Sequence, residues 1–213
     1  LIAVPLVYLY TNQPEDTNGD GDGNGDGNGD GTGSGLLTVE GEEMTLEDIE
    51  SMDIVSGSSV YQNRFGNWND EAEYEGVPLN DLVDMDEGDV LQVTASDDYS
   101  QKFSYDQVNP TGRCEEIQGD LILAYQYDDN KVPEWEDGPR IAVLPPDGEF
   151  SNDDLNLTKS LSSEFNSQTS AGSLWVKNVA DIQVIDDVFT DTETALTLEG
   201  TTTHDYSMEE IKS

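Results

Sequence analysis

Apolar residues between Leu36 and Asp187 recur in short runs, separated by breaks rich in Gly, Asn, Ser and Asp. Residues 37–41 alternate apolar and polar and then reach a Glu-Gly pair, which predicts a strand and a turn. Runs rich in β-branched and aromatic residues predict further strands at Val90–Ala95, Gln101–Tyr105, Leu121–Tyr125, Ile141–Leu144, Ser173–Lys177 and Ile182–Ile185. Helical spacing is rarer. Thr45–Met52 places Leu46, Ile49 and Met52 on one face, behind Thr45 as N-cap and Asp48 at the third helical position. Leu79–Val83 predicts a second short helix, and Tyr105–Val108 reads as a turn. Many short strands with few helices predict an α+β, β-rich fold.

The pattern changes on both flanks. Residues 1–10 are apolar throughout, too few to cross a bilayer, which needs ~20. Three readings stand. The segment is the remnant of a membrane anchor or signal segment, with Tyr8 and Tyr10 at the interface; or the processed start of a mature chain; or an apolar strand donated to a neighbouring subunit. Residues 11–35 consist largely of Gly, Asn and Asp, which cannot repay the entropy of ordering a backbone, so they read as a flexible linker. The linker also places side-chain oxygens at alternate positions, Asp16, Asn18, Asp20, Asp22, Asn24, Asp26, Asn28 and Asp30, with glycines between them. That spacing resembles the first half of a calcium loop. The twelfth position, where an EF-hand has a bidentate Glu, is Gly27 counted from Asp16 and Leu37 counted from Asp26. The segment is therefore no EF-hand, and weak calcium binding stands beside a merely solvated linker.

An internal repeat organises the remainder. Leu37–Ser51 resembles Leu196–Ser213 in its strand, its Glu-Gly turn, a Thr/Ser-led helix start and the same acidic-apolar alternation. The expected layout is a domain at residues 36–187, then a linker and the start of a second similar domain at 188–213.

Charge narrows the partners. The chain of 213 residues carries 47 Asp plus Glu against 8 Lys plus Arg, a formal net charge of −39. Only Glu15, Asp16, Asp20, Asp22, Asp26 and Asp30 of these acids lie in the linker. Such a surface repels nucleic acid and anionic lipid headgroups. It is screened by high salt or neutralised by bound cations, which points to halophilic character or a calcium-rich cell surface. One cysteine, Cys114, excludes an intramolecular disulfide, and the one histidine, His204, lies outside the expected domain, so no Ser-His-Asp triad can be built within it. Residues 147–154 offer several oxygens that read either as a polar surface loop or as a calcium loop, and Asn156-Leu-Thr158 is a glycosylation sequon.

Five segments in series carry a family resemblance: residues 74–82 with their Gly-Val-Pro-Leu, residues 95–106, Leu121–Tyr125, Gly138-Pro-Arg140 and residues 174–182. In order and rough spacing they are similar to the molybdopterin-binding domain of sulfite-oxidase-type oxidoreductases. The resemblance implies a mixed α+β domain of several sheet layers. In catalytic members a Cys shortly before Gly-Val-Pro-Leu supplies the thiolate ligand to molybdenum; here residues 60–68 contain Asn63 and Arg64 but no sulfur. Cys114 lies well past that segment, in what reads as a loop. Arg64, Arg113 and Arg140 are the only guanidinium groups, and Arg140 reads as the holder of a structural carboxylate pair. A soft thiolate is not replaced by Asn or Arg at molybdenum, so no catalytic or cofactor-binding residues are assigned. The expectation is a non-catalytic cell-surface structural or adhesive protein that meets other copies of itself or surface-layer components. The alternatives are an extracytoplasmic molybdopterin-dependent oxidoreductase and a ligand-binding module reusing the pterin pocket near Tyr61, Trp68 and Tyr99.

Overall fold

The computed structural model describes residues 35–185, and two short strands after them at 196–198 and 204–206. Two sheets dominate. The first has five strands in the order β2 (Glu42–Met44), β1 (Leu37–Val39), β11 (Val179–Ile185), β5 (Val90–Ala95) and β6 (Ser100–Ser104). β1 runs parallel to β11, and the other neighbours are antiparallel. The second sheet runs β10 (Glu149–Phe150), β3 (Val55–Gln62), β4 (Trp68–Pro78) and β7 (Asp120–Tyr127). The far edge of β7 is shared: β8 (Asn130–Lys131) pairs with Gln126 and Tyr127, and β9 (Arg140–Leu144) pairs with Asp120 to Ala124. Beyond this body, β12 (Leu196–Leu198) and β13 (His204–Tyr206) form an antiparallel pair, the arrangement β1 makes with β2. The molecule is β-rich α+β.

The strands expected from β-branched and aromatic runs form as β5, β6, β7, β9 and β11. Their inward residues, among them Leu91, Phe103, Ile122, Leu123, Ile141 and Ile182, are fully buried and make the core. Each such side chain contributes roughly 1.5–3 kcal/mol of transfer free energy. Among the described residues no helix is long and apolar enough to cross a membrane.

Short helices are fixed by their caps. α1 (Leu46–Glu50) begins with a reciprocal capping box between Thr45 and Asp48, and it buries Ile49 completely. α2 (Leu79–Leu82) follows the Gly-Val-Pro-Leu segment. Tyr105–Val108, expected as a turn, is a single helical turn, α3, because Ser104 and Gln107 form a second capping box. Arg113–Gln118, expected as a loop, is helix α4, bounded by Gly112 and Gly119 at positive φ. Gly119 is required on a second count: a Cβ there would stand 1.9 Å from the Leu144 carbonyl oxygen. Asn152–Thr158 forms α5 behind a third capping box, Ser151 with Asp154.

One expectation fails, and one element was not expected. Ser173–Lys177 is no strand: Ala171–Leu174 forms a 3-10 turn, and the buried Trp175 follows at the centre of an inverse γ-turn, closed by the Val176 N–H donating to the Leu174 carbonyl at 2.9 Å. A short apolar run looks alike in either conformation. Gly172 favours the turn, since it lets the chain pass against the Tyr61 ring, where a Cβ would be 2.7 Å from a ring carbon. The unexpected element is the β3–β4 hairpin, the longest among the described residues. Its sequence is Ser-, Gly- and Glu-rich, and its core face consists of Ala72, Tyr74 and Gly76 alternating with the outward Glu71 and Glu73.

Candidate functional site

The second sheet encloses one buried cation. Arg140 opens β9 directly after Pro139, and its side chain is 1% exposed. Its Nη2 donates to Asp70 Oδ2 at 2.9 Å, and its Nη1 donates to the Tyr74 hydroxyl at 3.4 Å. Tyr74 in turn donates to the Asp70 carbonyl at 2.8 Å, and Tyr61 donates to Asp70 Oδ2 at 3.1 Å. Lys177 stands 3.8 Å from the same oxygen while pairing with Asp137 at 2.6 Å. The guanidinium carbon lies 5.7 Å from the Trp135 ring centre and 6.0 Å from that of Tyr74. Tyr127 stacks on Trp135 at 5.6 Å. Asp70 adopts φ 54, the left-handed region that Asp tolerates better than most residues.

The electrostatics follow from this packing. Partial burial pushes the Asp70 carboxyl up. The Arg140 hydrogen bond, then the Arg140 and Lys177 charges, outweigh it and hold the group below the usual carboxylate range. Tyr61 is pushed up to about 12, first by burial and then by the Asp70 charge. Burial also raises Tyr74, so both phenols are neutral donors at neutral pH. Every charged group in the cluster has a partner, and one Arg140 nitrogen, Nε, is buried without one. The cluster ties β4, β9 and residues 175–177 together and offers no free nucleophile. Arg140 thus holds a carboxylate, as its residue type suggested, and the partner is Asp70.

Of the other residues singled out in the sequence, Tyr61, Asn63, Arg64 and Trp68 share the β3–β4 hairpin, whereas Tyr99 and Cys114 lie elsewhere. Asn63 and Arg64 sit at the tip of the β3–β4 hairpin. Asn63 Oδ1 accepts from the Phe65 and Asn67 amides, and Arg64 lies 4.7 Å over the Phe65 ring. Tyr61 is packed on Trp175 at a centroid distance of 4.6 Å. Trp68 and Tyr99 are 44% and 45% exposed, and the Tyr99 hydroxyl donates to the Ser173 carbonyl. Cys114 is half-buried on α4, where its thiol donates to the Asp106 carbonyl at 3.3 Å. Burial, then the Asp106 charge, pushes that thiol up to about 11, far from a thiolate at neutral pH.

Two carboxylates of residues 147–154 are turned to local structure. Asp147 Oδ1 accepts from the Glu149 amide, and Asp154 serves the Ser151 capping box. Those two groups are turn and cap acceptors, contacts that a polar surface loop makes. Asp16, Asn18, Asp20, Asp22, Asn24, Asp26, Asn28 and Asp30 lie outside the described residues, as do residues 1–10. A concavity of about 500 Å³ is lined by Ser56, Glu73, Glu75, Gln126, Asp128 and Asp129, and Tyr125 donates to Glu75 at its wall. Among the described residues no group of three or more His, Cys, Asp or Glu side chains is placed to hold a metal ion. No protein-family model matches this sequence, and no curated protein matches it.

Proposed function

We propose that this chain is a non-catalytic structural or adhesive protein of the cell surface, a surface-layer, stalk or filament subunit of acidic, calcium-binding character. Its domain is a sulfite-oxidase-like fold, carried on a Gly/Asn/Asp spacer and followed by a second similar domain. The observation that carries this reading is the use of charge. Of 8 cationic residues in the chain, Lys102, Lys131, Arg140 and Lys177 already face carboxylates within the fold. With 47 acids against 8 cations, most acids therefore have no protein counterion, and most of those among the described residues are exposed. A surface of that kind is stable where salt or divalent cations are abundant, and cations can bridge it to a neighbouring acidic face. In the spacer, the oxygens of Asp16 through Asp30 supply hard ligands suited to calcium.

The residues do not fit a molybdopterin centre. The positions before Gly-Val-Pro-Leu hold Asn63 and Arg64 on a hairpin tip, where a soft metal needs sulfur. Arg140, the guanidinium nearest the interior, is engaged by Asp70 and cannot also receive a phosphate. Cys114 keeps its proton and bonds Asp106.

Elemental analysis of protein purified without chelator tests the reading. Calcium without molybdenum is expected, and stoichiometric molybdenum would overturn it. Imaging of native material is the second arm, with assemblies or a surface coat expected.

A further inference from the structure

Exposed sheet edges invite other strands, and the edges of the two main sheets among the described residues are nearly all protected. The β2 edge is three residues long and carries Glu42 and Glu43, both exposed. The β6 edge is covered: the Gln168 amide donates to the Lys102 carbonyl at 2.6 Å, and Glu164 pairs with Lys102. The outer edge of β9 is covered by residues 176–179, through Ile141 N–H to the Val176 carbonyl and Val179 N–H to the Pro139 carbonyl, each at 2.9 Å. β8 and β10 have two residues each.

β3 differs. Strand β10 pairs only with Val60 and Tyr61, so residues 55–59 have β4 on one side alone. Hydrogen-bonding directions along this stretch follow from its partner. Glu73 donates its N–H to Asp128 Oδ1 and accepts from the Asp128 amide, so both its backbone groups turn toward β7 and away from β3. Glu73 is the partner of Ser58, and Glu75 that of Ser56. By the alternation of an antiparallel ladder, the N–H and C=O of Ser56 and Ser58 therefore point outward from the sheet. The Val60 N–H, two positions on, confirms the phase by donating outward to the Gly148 carbonyl at 2.9 Å. The Ser58 carbonyl lies against Gly148, where a Cβ would stand 3.4 Å from it, so the outward groups left facing open space are those of Ser56 and the Ser58 N–H. They face a groove of about 550 Å³ whose other wall is Leu144, Pro145, Pro146 and Asp147. The edge residues, Ser56-Gly57-Ser58, have neither charge nor bulk to block a strand.

We infer that this edge of β3 accepts an extended segment from a neighbouring copy, and that the segment is residues 1–10. The inference rests on the reading of the chain as an assembling surface protein. Residues 1–10 are apolar and carry no charge, whereas the groove rim carries Asp120 and Asp147, which disfavour an acidic strand. Ile2, Val4 and Val7 are β-branched and suit a strand. Pro5 fixes the phase: with its N–H-less nitrogen turned to solvent, Val4 and Leu6 present their backbone groups to Ser56 and Ser58. Residues 11–35 stand between this segment and β1, and a chain of that length reaches at most roughly 80–90 Å, so its length does not prevent contact with an adjacent subunit. A donor that leaves one copy and an acceptor edge elsewhere on the next form a head-to-tail contact, which propagates into a filament if the rotation does not close.

The test uses the full 213-residue chain with Cys114→Ser, mixing copies that carry Val4→Cys with copies that carry Ser58→Cys under oxidation in high salt and calcium. A disulfide-linked pair identified by mass as one copy of each is expected, with at least tenfold less product when Glu43→Cys replaces Ser58→Cys. Ser58→Pro removes an outward N–H without breaking the β3–β4 ladder. It is expected to keep the wild-type circular dichroism spectrum and to abolish assembly in sedimentation. Assemblies that form without the 4–58 disulfide, or that survive Ser58→Pro, overturn the strand addition alone. Copies that stay monomeric throughout overturn it together with the assembling-surface reading.

Discussion

Lys131 and Arg140 lie on β8 and β9, the two short strands that share one edge of β7, and each meets a carboxylate. The similarity ends there. Lys131 and Glu50 are 39% and 38% exposed, and Lys131 also lies 5.0 Å over the Tyr125 ring. Arg140 is 1% exposed and is fixed by Asp70, by the hydroxyl and ring of Tyr74, and by the Trp135 ring. Water screens the first pair, and side-chain entropy offsets what attraction remains. The second has lost its water, so removing either partner strands a charge in a poorly polarisable interior. A chain with a formal charge of −39 has carboxylates everywhere, and exposure decides which of them hold the fold.

Asp70→Ala breaks this contrast most directly. It leaves Arg140 buried without its counterion, and a loss of about 3–5 kcal/mol is expected in urea unfolding. The pH dependence carries the same signature. Because the Asp70 carboxyl is held below its ordinary value of 3.8, its contribution is complete above about pH 4 and is lost as pH falls through the folded value. The stability gap between wild type and Asp70→Asn should therefore be constant near neutrality and close in acid; a gap that widens in acid would contradict the assignment.

Gly138→Ala attacks the aromatic shelf over Arg140. A Cβ there would lie 2.3 Å from the Trp135 ring and 2.7 Å from Val132, and a loss of about 1–3 kcal/mol is expected from crowding. Thr45→Ala, which removes the α1 capping box, should cost about 1 kcal/mol. Glu50→Ala should cost about 0–1 kcal/mol, and that small effect should vanish in high salt while the Asp70 effect persists.

Much of the framework was readable because its strands carry their own pattern. Val90–Ala95 alternates, and Leu121–Tyr125 and Ile141–Leu144 are continuous apolar runs, as strands buried on both faces require. α1 was readable from the spacing of Thr45, Asp48 and Ile49. The β3–β4 hairpin was not. Ser56, Gly57 and Ser58 resemble a loop, and the acids of β4 resemble a solvated stretch, until Tyr74 and Ala72 are seen to share one face. Ser173–Lys177 failed for the opposite reason: its apolar content reports burial and not conformation. At the buried cation, the residue type of Arg140 announced that a carboxylate was needed. Its partner lies 70 positions away, and only the pairing of β4 with β7, and of β7 with β9, brings Asp70 to it. Nothing local in the chain separates Asp70 from its many acidic neighbours.

The measurement that bears most directly on the account is the unfolding temperature of the full chain as sodium chloride rises to about 1 M, where the Debye length falls to roughly 3 Å, with calcium added in a parallel series. A surface of unpaired carboxylates predicts a midpoint that climbs steeply with salt and climbs at far lower concentrations of calcium. A midpoint indifferent to both ions would contradict it.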